Sequence, residues 1–351
     1  MNQSDQNQPL SITSLEIFSR PSPVKRRSNE DTWLVVESPA SPRSITLAVI
    51  DGAGVRRPLP SFVRELYKLF PNLTPAAYAA YILKKSLEEQ LQTETTKPLS
   101  QTLITANQSL RDAVEGILGY FDLSKILTES DESLRHDVRN IRMVLPACVA
   151  TIARLNLSTH HLEFAHLGDT SLLEICYDGR VVRHTTDQMR PFDSMAFEEI
   201  LNLQRARKLP HFRDAVTLPE GRHFIIESGL RLNYVDTNGK TDKQQGCGVI
   251  NGLPEMTDYI ETGTFLVSPE RTQSFLLLTD GLELLSPLYE KEEEHKQRLR
   301  RTAHLVQESG LDGLYNEVSK MAESDSDFDR YPRTKYQDDA TGIYIQVGFE
   351  K

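Results

Sequence analysis

Four stretches of this 351-residue chain set an aspartate where an apolar run meets a turn. Asp51-Gly52 follows ITLAVI, Asp169 lies in Gly168-Asp169-Thr170 after HLEFAHL, and Asp280-Gly281 follows FLLLT. Asp338-Asp339 immediately precedes GIYIQV. A carboxylate at the end of a buried strand, beside a residue that turns sharply, can face a polar site while its strand stays in the core. Several such carboxylates at one sheet edge repel one another unless cations neutralise them. An oxygen-only donor set suits Mg²⁺ or Mn²⁺ rather than zinc. Asp-Gly is also a common turn dipeptide, so no one of these positions marks a site by itself.

Positioning them requires strands. Thr32 to Glu37 (TWLVVE) and Ile45 to Ile50 are short, β-branched and flanked by turn formers, as strands are. A helical region runs from Ser61 to Gln92, broken by Pro71 and Pro75, and again from Ser100 to Phe121. Its apolar residues (Phe62, Leu66, Leu69; Ala79, Ile82, Leu83, Leu87) recur at helical spacing and imply one packed face. Ala147 to Leu157, His161 to Leu167, Ser171 to Tyr177 and Val181 to Thr185 predict strands joined by tight turns, Asp178-Gly179 being a hairpin dipeptide. Short connections predict antiparallel pairing. Residues 187 to 215 predict a mobile insertion with one amphipathic helix near Phe197 to Arg205, and Tyr289 to Gln307 a solvated helix. Phe275 to Thr279 and Gly342 to Val347 complete the strands, and residues 1 to 14, rich in Asn, Gln and Ser, predict a flexible tail.

The formal charge of −10 argues against a nucleic-acid partner. Three scattered cysteines (Cys148, Cys176, Cys247) make neither a disulfide framework nor a zinc cluster and suggest a reducing compartment. The first twenty residues lack the apolar stretch of a signal peptide, and no run reaches the ~20 apolar residues of a membrane span. A cytoplasmic protein with no membrane partner is the expectation.

The order and context of the acidic positions resemble the metal-dependent Ser/Thr protein phosphatases, the type 2C or PPM family, in a divergent, bacterial-like form. RRSNED (26 to 31) matches that family's opening motif, LAVIDG (47 to 52) its first metal aspartate and HLGDT (166 to 170) its Gly-Asp-Ser/Thr motif. LTDG (278 to 281) and DDAT (338 to 341) resemble its last two aspartate motifs. The resemblance implies an α+β fold, a four-layer α-β-β-α sandwich of two antiparallel sheets flanked by helices, over residues 15 to 351, with a divergent insertion or flap around 187 to 262. It implies that Asp51 bridges two metal ions and that the Gly52 carbonyl helps bind the second. Asp280 and Asp338 would complete the first ion's shell, and Glu30 would serve the second directly or through water. Asp169, with Asp280, would serve a third, weaker ion. Arg26 would clamp the substrate phosphate, since a guanidinium matches two phosphate oxygens at once; Arg27 reads as a surface charge.

The implied reaction is hydrolysis of phosphoserine or phosphothreonine in proteins by a water activated between two Mn²⁺ or Mg²⁺ ions, with no phosphoenzyme. A phosphorylated protein is then the substrate, and a cognate Ser/Thr kinase a partner. Where many relatives carry His or Met two residues after the first aspartate, this chain has Ala53, which removes one candidate acid. Asp339 stands where many relatives have Asn. Two other readings share the motif set: a phosphatase-like binding or regulatory module that has lost turnover, and a phosphatase for small phosphomonoesters.

Two other patterns imitate sites. Cys148 and Arg154 have the C-x5-R spacing of cysteine-dependent phosphatases, but the intervening VATIA is apolar and β-branched, a strand rather than a phosphate loop. Asp325, Asp327 and Asp329 imitate the start of a calcium loop, but Arg330 replaces its glycine and Tyr336 its closing glutamate. His160-His161 are expected at a hairpin turn.

Overall fold

A computed structural model describes residues 9–23, 28–37, 43–53, 58–93 and 96–349. Two five-stranded antiparallel sheets stack face to face. The first has the order β1 (Leu10–Arg20), β10 (Ala340–Phe349), β9 (Thr272–Leu278), β6 (Ser171–Cys176), β7 (Val181–Arg183). The second has the order β2 (Thr32–Glu37), β3 (Ser44–Asp51), β4 (Val149–Asn156), β5 (His161–Leu167), β8 (Glu261–Leu266). Helices α1 (Pro60–Leu69), α2 (Pro75–Thr93) and α3 (Leu99–Leu118) belong to the layer outside the second sheet, and α8 (Glu292–Ser324) covers the first. This is the expected four-layer α-β-β-α sandwich.

The apolar runs of the central strands follow from burial on both faces. Along β3, Leu47 and Val49 point between the sheets, where they join Phe164, Phe275, Leu277 and Ile343. Ala48 and Ile50 point the other way, toward Leu83, Leu87 and Leu103 of α2 and α3. Leu276, Leu278 and Tyr344 likewise face Leu299, Val306 and Leu314 of α8. Among the described residues no helix is long and apolar enough to cross a membrane.

Several sequence expectations need correction. The chain enters β1 at Leu10, inside the predicted tail of residues 1 to 14, because Leu10, Ile12 and Ile17 pair along β10. Where one helix was expected within 187 to 215, α5 (Arg190–Arg207) and α6 (Phe212–Thr217) form, and α7 (Pro219–Ser228) follows in the rest of the insertion, counting a short α4 (Leu123–Glu129) earlier in the chain. They close a small core of their own around Ile200, Phe212, Ala215 and Ile225, sealed by Phe328 from the distant loop before β10. The end of the insertion runs into β8, an edge strand that a polar, half-exposed sequence conceals. Helix α8 continues well past Gln307, breaking at Gly310, where φ is 66° and the Glu16 carboxylate accepts the Leu311 amide at 2.8 Å.

Phe275 is fully buried between the sheets. Phe275→Ala is expected to lower unfolding free energy by about 3–5 kcal/mol, read from the midpoint of a urea melt; a loss within about 0.5 kcal/mol would contradict the two-sheet core.

Candidate metal centre

Register places the acidic strand ends together. Asp51, the last residue of β3, pairs with Val149 at the start of β4, and Ala150 pairs with Leu167 at the end of β5, just before Asp169. In the other sheet Leu278, two residues before Asp280, pairs with both Ser171 and Gly342. Asp338 lies just ahead of β10. Four aspartates from four separate segments therefore sit at one end of the sandwich. With Gly52, all four line a single cavity of about 160 Å³.

Local sequence explains how each turn closes. A Cβ on Gly52 would lie 2.6 Å from the Glu30 carbonyl oxygen, so only glycine lets the turn after Asp51 press against the Glu30 backbone. Gly281 is similar: a Cβ there would stand 1.8 Å from the Asp339 carbonyl. Gly168 has φ of 92°, the left-handed region that glycine enters freely. Its carbonyl accepts the Gln188 amide at 2.9 Å.

The electrostatics are those of carboxylates with too few cations. The protein packed round Asp51 holds its pKa well above the ordinary value, and the charges of Asp31, Asp280 and Asp169 add to that. Asp169 is raised too, first by its surroundings and then by Asp280, Asp187 and Asp193. Such a set favours either protons or added cations. Its donors are all oxygens, which fits Mg²⁺ or Mn²⁺. With the side chains as they stand, no three His, Cys, Asp or Glu among the described residues meet closely enough to hold an ion. Asp338 is turned onto the Lys335 ammonium.

Three residues that sequence reasoning overlooked belong to this neighbourhood. Asp31 is buried, with its pKa pushed up to about 7 by that burial, by Asp280 and by Asp339 against a lowering hydrogen bond from Thr279. Thr279 Oγ1 donates to Asp31 Oδ2 at 2.7 Å, and the Thr341 amide donates to Thr279 Oγ1 at 2.9 Å. That link joins the segment entering β2 of one sheet to β9 and β10 of the other. The triplet Asn29-Glu30-Asp31 was the available signal, but it drew attention to Glu30 alone. Asp187 and Asp193, at the start of the insertion, had no local signal; Asp193 lines the cavity and Asp187 Oδ1 accepts the Met189 and Arg190 amides at 3.1 and 2.9 Å.

Glu30 is not among the residues that line this cavity. Its Oε1 accepts from Thr74 Oγ1 at 2.7 Å, and the residue borders a groove with Thr32, Leu73 and Lys84 rather than the acidic cavity. Asp339, not itself a predicted ligand, holds the Glu30 backbone: its Oδ2 accepts the Glu30 amide at 2.9 Å and its Oδ1 the Ser22 amide at 2.6 Å. Arg26 and Arg27 lie outside the described residues. Ala53 lines the cavity and packs with Ala147, Val149 and Val249. Neither imitation pattern forms the site it imitates, although Asp325 is buried rather than part of a solvated loop. Cys148 is buried and pairs with Ile250, and its burial pushes the thiol pKa up. Asp325 accepts the Arg330 and Tyr331 amides and pairs with Arg333, as a structural knot. His160 sits at the β4–β5 turn with φ of 57°.

Behind Asp169 runs a hydrogen-bond chain in which His166, Thr151 and Thr170 are fully buried. His166 Nε2 lies 2.8 Å from the Thr186 carbonyl, which can only accept, so Nε2 carries the proton. Nδ1 then accepts from Thr151 Oγ1 at 2.9 Å, and Thr151 Oγ1 accepts from Thr170 Oγ1 at 2.7 Å. Burial pushes the His166 pKa down to about 4.

No protein-family model matches the chain, and no curated protein matches it. Among solved structures it is similar to RsbX in complex with magnesium, at 12% identity and a TM-score of 0.45, over 97% of this chain and 100% of that one. It is similar to the serine/threonine phosphatase Stp1 from Staphylococcus aureus, at 13% identity and a TM-score of 0.48, over 96% of this chain and 95% of that one. A bacterial serine phosphatase is likewise similar, at 14% identity and a TM-score of 0.47, over 97% of this chain and 100% of that one. At these identities and scores the functional reading rests on the cavity and its carboxylates.

A folded pKa of about 4 against the ordinary 6.5 means that His166 contributes its full stabilisation above pH 6.5 and loses it as pH falls toward 4. Relative to His166→Gln, the wild type should therefore lose on the order of 3 kcal/mol between pH 7 and pH 4 in urea melts. A difference independent of pH would remove His166 from this role.

Proposed function

We propose that this protein is a metal-dependent phosphatase of the PPM type, hydrolysing phosphoserine or phosphothreonine in proteins. The observation that carries the reading is the convergence of Asp51, Asp169, Asp280 and Asp338, from four separate segments, on one cavity at the end of the sandwich. Asp51, Asp280 and Asp338 would hold two Mn²⁺ or Mg²⁺ ions together with the Gly52 carbonyl, and Asp169 with Asp280 a third. Ions bound there supply the Lewis acidity that makes water a nucleophile near neutral pH.

The chain's own residues set the rest. Asp31, pinned by Thr279, lies within range of Asp51's charge and, when ionised, would add to its pull on cations. Part of the cavity's remaining wall comes from the insertion, through Met189, Asp193, Phe197, Ser228 and Leu232, so the insertion helps shape what reaches the ions. Arg26 is the proposed phosphate clamp. Glu30 would serve the second ion directly or through water, from beside the ring of aspartates. Its turn toward Thr74 is also the observation that favours the second reading, a binding module with the phosphatase fold. A phosphoprotein substrate requires a Ser/Thr kinase as the reaction that supplies it.

The test is hydrolysis of p-nitrophenyl phosphate and of phosphoserine peptides with Mn²⁺. Asp51→Asn and Asp280→Asn should each lower kcat/KM by about 100-fold or more, since each removes support for charge in the transition state. Chelation should abolish turnover and added Mn²⁺ restore it. Bound Mn²⁺ with no turnover by the wild type would select the binding-module reading, and unchanged rates in both variants would sink the catalytic one.

A further inference from the structure

The loop between α8 and β10 closes on a buried ion pair. Arg333 Nη1 donates to Asp325 Oδ2 at 2.7 Å, its Nη2 to the Asp325 and Ala322 carbonyls at 2.6 and 3.2 Å, and its Nε to the Tyr336 carbonyl at 3.2 Å. The guanidinium also lies 4.1 Å from the Phe328 ring. Asp325 in turn accepts two amides of the same loop, so the segment is tied at both ends. Immediately beyond the knot, Thr334 and Lys335 line the acidic cavity beside Asp338.

Two basic side chains line that cavity among the described residues, Arg142 and Lys335. Arg142 is committed to the wall: its Nε donates to the Arg139 carbonyl and its Nη1 to the Leu232 and Asn233 carbonyls, both at 3.2 Å. Lys335 instead places its ammonium on Asp338 Oδ2, three residues along the chain. The two partners differ in setting, Lys335 being 53% exposed and Asp338 13%. A half-exposed lysine pair is weak and easily exchanged, because water and side-chain entropy compete with it. A divalent ion brings twice the charge to the same oxygens and prefers a carboxylate.

We propose that Lys335 is a tethered cation that competes with divalent metal for the Asp338 carboxylate and so sets the metal affinity of the cavity. Metal binding at Asp338 then requires the ammonium to leave, and the fixed knot keeps it close enough to return when metal dissociates. The inference rests on the reading of Asp338 as a metal ligand.

Calorimetric titration of the full chain with Mn²⁺ alone, without substrate, tests it. Lys335→Met should bind Mn²⁺ about 2- to 5-fold more tightly than wild type, the range that displacing a half-exposed ion pair allows. Lys335→Arg, whose fork grips a carboxylate with two hydrogen bonds, should bind no more tightly than wild type. In an Asp338→Asn background the Lys335→Met gain should vanish. Circular dichroism melts of the metal-free variants establish that all are folded. Wild-type binding with equal or weaker binding by Lys335→Met overturns the competition while leaving the metal-centre reading intact. A gain that persists in the Asp338→Asn background also overturns it, since the lysine would then act by general charge. No binding by either protein overturns both readings together.

Discussion

Carboxylates crowded at the end of a β-sandwich are the constraint around which this molecule is organised. Asp51 lies within range of the charges of Asp31, Asp169 and Asp280, and the surrounding protein raises the cost of ionising Asp31, Asp51 and Asp169. Such a cluster survives only where the backbone holding it is over-determined. The holding groups are identifiable. Thr279 joins Asp31 of one sheet to Thr341 of the other, and Asp339 gathers the amides of Ser22 and Glu30. Asp51 and Gly281 thus stand on a frame cross-braced by side chains, while the hydrophobic layers supply the bulk of the stability.

The insertion depends on a second electrostatic arrangement. Glu290, nearly buried, accepts Arg298 at 2.7 Å and Arg190 at 3.0 Å, and the two arginines hold its pKa down to about 2 although burial works the other way. Arg190 begins α5, so this pair fastens the insertion to the segment leading into α8. Glu283 extends the network to Arg183 and Ser171 beside the Asp169 turn. Removing one partner would leave a desolvated charge, which costs far more than the pair itself contributes. The cavity's wall and floor are therefore coupled through charges that none of the four proposed metal aspartates provides. His166 and its threonines do the same for the Asp169 turn through neutral hydrogen bonds.

Much of this was legible in the chain because strand ends and their turns are local. ITLAVI followed by Asp51-Gly52, and FLLLT followed by Asp280-Gly281, announce a buried strand and a sharp exit within eight residues. The β6–β7 hairpin and the break between α1 and α2 were equally visible, because Gly179, Pro71 and Pro75 act on their own backbone. Strand β8 was not visible, because its alternating threonines look like loop until β5 pairs with them. The helices of the insertion were largely missed for a related reason. Phe212 and Ile225 become a core only when Ile200 and Phe328, far apart in sequence, close on them.

What the sequence determined by itself is a set of carboxylates, each tied to the end of an apolar segment, and the two-sided burial of the strands that carry them. Those properties follow from periodicity and turn chemistry within a few residues. Only the tertiary structure decided which carboxylates share a cavity. It brought Asp193 of α5 to the cavity lining, set Asp31 within range of Asp51's charge, and bonded Glu30 to Thr74. It also put Lys335 against Asp338 by knotting the preceding loop on Arg333 and Asp325. The reason is physical: charge acts through space, and sheet register, not chain order, sets the distances over which it acts.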